Sequence, residues 1–163
     1  MAESKNPDEI FRKAYECYEY LKHNYIPSSK TSTIFHQFDL KKINDKLSEE
    51  LVELRDSVKG IHKDNVLKEC SQVFYWASIL GVYRSYSYDE LKIYDVILDG
   101  YREKNEFEIP KIDMQNPKQT VFNSYKFIGK SCRESRTDPA EVGKYEIEEI
   151  KKRPYLSSLV EGF

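Results

Sequence analysis

The chain has 163 residues, enough for one domain with a sizeable core. Its 26 basic and 28 acidic residues leave a net charge of −2, so no excess of positive charge argues for nucleic acid and no basic block suggests an anionic membrane. No apolar run approaches the ~20 residues of a membrane span, and the N-terminal residues lack the apolar stretch of a signal peptide.

A first helix is predicted from Pro7 to Tyr25. Asn6 can cap it, Pro7 suits the first helical position, and Glu9 stands three beyond the cap. Ile10, Phe11, Ala14, Tyr15, Tyr18, Leu21 and Tyr25 recur at helical spacing, and Pro27 with Ser28 and Ser29 ends the run. A second helix begins near Asp39. Leu40, Ile43, Leu47, Leu51, Leu54 and Val58 follow at intervals of three and four, and Gly60 supplies the stop.

A third helix is predicted from Asn65 to Arg84, with Asp64 as its cap. Val66, Cys70, Val73, Ala77 and Leu80 line one side. Phe74, Tyr75, Trp76, Ile79, Val82 and Tyr83 cover most of the rest, and a helix apolar nearly all round is a central one. A fourth opens with the capping box Ser87-Tyr88-Asp89-Glu90 and continues through Leu91, Tyr94, Ile97 and Tyr101 towards Lys104, with Gly100 weakening its last turn.

Beyond Asn105, Pro110, Asn116, Pro117 and scattered charges read as a loop-rich segment. Residues 120–128 fit a short helix or a strand equally. Asp138-Pro139-Ala140-Glu141 is a further helix start, and that helix stops before Pro154. The expected architecture is all-α: an antiparallel bundle of about four core helices over residues 1–105 and a loop-rich C-terminal extension over residues 106–163. Three short neighbours cannot fully cover so apolar a third helix. A second copy is therefore expected to complete it, as a homodimer or a larger homo-oligomer.

The chemistry is concentrated in two helix-spaced groups. Residues three apart share a helix face, so Glu50 and Glu53 project side by side from the second helix, and Glu69 and Gln72 from the third. Glu50 falls on the edge of the apolar stripe, and Glu69 lies in a thickly covered helix. Buried carboxylates are neutralised, salt-bridged or shared with a cation. Two readings stand: an ion pair to Lys46 or Lys42, or a divalent cation. Mg²⁺, with Mn²⁺ as its alternative, takes oxygen ligands and binds substrate phosphates. Beside such an ion Glu49 can orient or deprotonate an attacking water. Lys46, one turn before Glu50, is either a phosphate contact or a surface lysine. Trp76 and Tyr75 read first as packing, with stacking on a nucleobase as the alternative.

Other chemistries lack support. His23, His36 and His62 are far apart, and six glycines form no phosphate-binding loop. Cys17, Cys70 and Cys132 are odd in number and widely spaced with no CxxC pair, which supports neither a zinc ribbon nor a disulfide framework, and the cytoplasm is the expected compartment.

Residues 46–54, KLSEELVEL, followed by residues 69–76, ECSQVFYW, resemble the all-α nucleoside triphosphate pyrophosphohydrolase superfamily. Its members include the MazG-type enzymes and phosphoribosyl-ATP pyrophosphohydrolase, and its pattern is EExxE followed by ExxD. The 15 residues between Glu53 and Glu69 lie within the family's range. Ser32-Thr33-Ile34-Phe35 ahead of Lys42-Ile43, and Tyr83-Arg84 ahead of Ser87-Tyr88-Asp89-Glu90, resemble the phosphoribosyl-ATP branch. The likeness covers about residues 7–105.

The resemblance implies a helical bundle, a dimer or larger assembly, and Mg²⁺. It implies hydrolysis of the α–β phosphoanhydride of a nucleoside triphosphate or a phosphoribosyl-ATP-like substrate, giving a monophosphate and pyrophosphate. Glu50, Glu53 and Glu69 become metal ligands, Glu49 an acid near the attacking water, and Lys46 and Trp76 substrate contacts. The fourth ligand position, an Asp in the family, is Gln72 here. An amide oxygen can ligate a hard cation but brings no charge, so metal affinity falls. The alternative is therefore a catalytically weak or inactive member that binds a nucleotide or a protein partner.

Overall fold

The computed structural model describes residues 5–61, 65–104 and 106–163. Among these, all regular structure is helical: α1 (Pro7–His23), α2 (Lys30–His36), α3 (Leu40–Val58), α4 (Val66–Tyr83), α5 (Tyr88–Leu91), α6 (Ile93–Arg102), α7 (Pro117–Ser135) and α8 (Pro139–Lys151), with a 3₁₀ turn at Ser157–Val160. No helix among the described residues is long and apolar enough to cross a membrane.

The helix starts follow from their caps. Asn6 accepts the Glu9 N–H at 2.9 Å, and Asp39 accepts that of Lys42 at 3.1 Å. At α5 the capping box is complete: Ser87 N–H donates to Glu90, and Glu90 N–H donates to Ser87, each at 3.0 Å. The Asp64 cap expected for the third helix lies outside the described residues, as does His62. Asn65 caps α4, accepting the Leu67 N–H at 2.9 Å.

Three expectations are corrected. Ser29 reads in sequence as part of a helix stop, yet it caps α2, accepting the Ser32 N–H at 3.1 Å and presenting Ile34 and Phe35 to the core. The fourth predicted helix is broken at Lys92, whose φ of 49° is left-handed; the break lets Leu91 and Ile93 both face inward with no exposure. Asn116 and Pro117 are not loop residues. They start α7 as Asn6 and Pro7 start α1, a cap followed by proline at the first helical position.

Residues 120–128, undecided between helix and strand, form the middle of α7. The stretch before them, residues 106–112, is irregular as expected. Beyond it, α7 packs on α4 and α6, and α8 packs on α1 and α4. Val121, Tyr125, Phe127, Ile128 and Cys132 of α7 are buried, as are Val142, Ile147 and Ile150 of α8. The apolar girth of α4 is thus covered within the chain.

Glycine sets the closest contact. A Cβ on Gly129 of α7 would lie 1.9 Å from the Ile97 carbonyl oxygen, and one on Gly100 of α6 would lie 2.1 Å from that of Lys126. Gly100, expected only to weaken a helix end, is where two backbones cross.

Candidate metal centre

α3 and α4 run side by side, joined through Gly60, which takes the left-handed φ of 73° that glycine allows. Glu50 and Glu53 lie one turn apart on α3. Glu69 lies in the first turn of α4 and is 3% exposed. The two helices bring one carboxylate oxygen from each of Glu50, Glu53 and Glu69 within 4.8 Å of one another.

Such crowding is costly without a positive charge. Burial, the hydrogen bond to Glu53, and the charges of Glu53, Glu69 and Glu49 push the Glu50 carboxyl up to about 8. Glu50 Oε2 is buried with no hydrogen-bond partner. Three hard oxygen donors, mutually repelling, with an enclosed oxygen available, fit a hard divalent cation.

The other sequence candidates are placed differently. Lys46 and Glu49 pair with each other at 3.2 Å on the outer side of α3, so Lys46 is engaged there. Glu49 is exposed and lies outside the three-carboxylate group. Gln72 lines a cavity of about 330 Å³ together with Thr31, Tyr75, Trp76, Glu146 and Arg153. Gln72 stands three residues, about one helical turn, from Glu69 on α4.

The cavity wall draws on residues that sequence reasoning missed. Glu146 of α8 is buried and accepts hydrogen bonds from the hydroxyls of Tyr18 and Ser71. Burial pushes its carboxyl up to about 7, against the pull of those two bonds. The Thr31 and Tyr75 hydroxyls are bonded to each other. The Arg153 guanidinium sits 5.5 Å from the Tyr75 ring centre. Trp76 is 8% exposed, so it packs in the core and meets the cavity at one edge. The His36 ring meets that of Tyr25 at a 58° tilt with 4.8 Å between centres, a pairing of two exposed residues.

Residues 15–92 match the family model described as phosphoribosyl-ATP pyrophosphohydrolase, PRA-PH. The match runs from within α1 to the break at Lys92 and contains all three clustered acids and Gln72. No curated protein and no solved structure matches the chain.

Proposed function

Residues 15–92 form a domain of the MazG-like, all-α nucleoside triphosphate pyrophosphohydrolase superfamily, and from that premise we propose that the protein is a Mg²⁺-dependent nucleotide pyrophosphohydrolase. The observation that carries the proposal is the meeting of Glu50, Glu53 and Glu69 across two helices. The substrate is a nucleoside triphosphate or a phosphoribosyl-ATP-like nucleotide, cleaved between the α and β phosphates.

Glu50, Glu53 and Glu69 hold the divalent ion. When bound, that ion neutralises phosphate oxygens and acidifies a water. The chain's own part is positional. α3 and α4 fix three carboxylates without loops, which keeps their geometry rigid. In this reading Glu49 takes the proton of the attacking water and Lys46 meets an outer phosphate, which requires their mutual ion pair to open. Gln72, Tyr75 and Trp76 offer the nucleoside an amide and aromatic surface on α4.

A second reading rests on Gln72. With an amide where the family places a carboxylate, the protein binds nucleotide but turns it over weakly or not at all. Pyrophosphate release across a nucleotide panel, with Mg²⁺ or Mn²⁺, separates the two. The hydrolase reading expects release from at least one nucleotide and a loss of about 100-fold or more in Glu53→Ala. No release from any nucleotide puts it aside.

The resemblance also implies two or more copies, and a stable monomer in light scattering counts against that. The cysteines at 17, 70 and 132 are free and buried, which suits a reducing, cytoplasmic setting.

A further inference from the structure

We propose that the cavity beside the acids is a phosphoryl-binding subsite for the nucleotide, in which Arg153, from the C-terminal segment, binds an anionic oxygen with Lys30 at the mouth. The proposal rests on the preceding reading only for the identity of the molecule that carries the phosphoryl group. Its protein contacts lie in part outside residues 15–92, so the family match does not supply them.

Three distant parts of the chain build the cavity: Lys30 at the start of α2, Gln72, Tyr75 and Trp76 on α4, and Glu146 within α8 with Arg153 just beyond its end. Its volume of about 330 Å³ is within the range of small-ligand pockets. Arg153 Nη1 is buried and has no hydrogen-bond partner. Buried donors are rarely left in that condition, because an unmade bond to a charged group is costly.

The neighbouring acids are already engaged. Glu146 spends both oxygens on Tyr18 and Ser71. Glu149 pairs with Lys152 at 2.8 Å. The guanidinium is meanwhile steadied over the Tyr75 ring. A fixed guanidinium with a free N–H, an exposed lysine nearby and aromatic walls select an oxyanion attached to a flat or apolar body. A nucleotide phosphoryl group has that chemistry. Gln72, in the cavity wall, stands one turn along α4 from Glu69 of the acid cluster.

Trp76 is the only tryptophan and lines the cavity, so its fluorescence reports occupancy. The full chain is titrated in EDTA with AMP, inorganic phosphate and adenosine, which separates binding here from metal and from hydrolysis. AMP is expected to give a saturable change, with phosphate weaker and adenosine weaker still. Arg153→Gln is expected to weaken AMP about tenfold or more, and Lys30→Gln several-fold. Lys30 is exposed, so its variant decides the matter where Arg153→Gln does not fold.

A flat titration, adenosine binding as tightly as AMP, or unchanged affinity in the folded variants overturns the proposal. Arg153-dependent AMP binding without any pyrophosphate release leaves the subsite standing and removes the hydrolase reading. Release without such binding does the reverse.

Discussion

Ser71 of α4 donates its hydroxyl to the Glu146 carboxylate of α8 in the interior of the protein. Ser71 lies between Glu69 and Gln72 in sequence, so the helix that carries Glu69 is bonded to the C-terminal segment. Tyr18 of α1 supplies the second hydrogen bond to Glu146. Three helices distant in sequence therefore meet at one carboxylate, and the segment beyond the family match is tied into the core of the helical bundle.

Truncation tests this dependence. A chain ending at Glu103 loses α7 and α8. It leaves Ser78 without the Tyr125 hydroxyl at 2.9 Å and Phe74 without the Tyr125 ring at 6.0 Å. The expected outcome is loss of a cooperative thermal transition and strong binding of a hydrophobic dye. A fragment that melts sharply would show that residues up to 103 fold without their cover.

Gly129→Ala tests the crossing of α6 and α7. A methyl group 1.9 Å from the Ile97 carbonyl oxygen meets backbone, which cannot swing aside as a flexible side chain does. The helices must separate, at a cost of about 3 kcal/mol. Urea denaturation measures it, and a change below about 0.5 kcal/mol would mean that the two helices are not in such close contact.

Much of this was readable in the sequence, because caps and stripes are local. Asn6-Pro7, Ser87 with Glu90, and the acid spacings on α3 and α4 each depend on a few neighbouring residues. α2 was hidden because Ser28 and Ser29 after Pro27 look like a stop, although serine equally starts a helix. α7 was hidden because its polar residues dilute the apolar stripe. Asn116-Pro117 carried the same signal as Asn6-Pro7 and could have found it. Arg153 and Glu146 had no local signal at all. Their role arises from a fold that returns the chain to α4 and α1 after more than seventy residues, as Ser71 and Glu146 show.

The pH dependence of the metal-free protein has a defined sign. Burial raises the folded-state values of Glu50, to about 8, and Glu146, to about 7, above the ordinary 4.5. The native state therefore holds protons that the unfolded chain has released. The stabilising contribution is complete below pH 4.5 and is lost as pH rises through about 7 for Glu146 and about 8 for Glu50. Melting temperatures in EDTA are expected to fall across that window, and Glu50→Gln is expected to flatten its upper part. A wild-type profile that rises or stays level over the window would contradict the crowding of the acids.

Gln72→Asp tests the departure from the family pattern. A carboxylate one turn from Glu69 adds a charge to the ion's surroundings, and Mg²⁺ is expected to bind about tenfold more tightly. Calorimetry reads the change. Unaltered affinity would assign Gln72 to the cavity alone.

The most direct test of the account is a Mn²⁺ titration of the wild-type chain and of Glu50→Gln, Glu53→Gln and Glu69→Gln, followed by calorimetry with thermal melting as a check on folding. Three carboxylates sharing an ion predict one saturable site in the wild type, lost or weakened about tenfold or more in each folded variant. No binding by the wild type, or a site that survives all three substitutions intact, would contradict it.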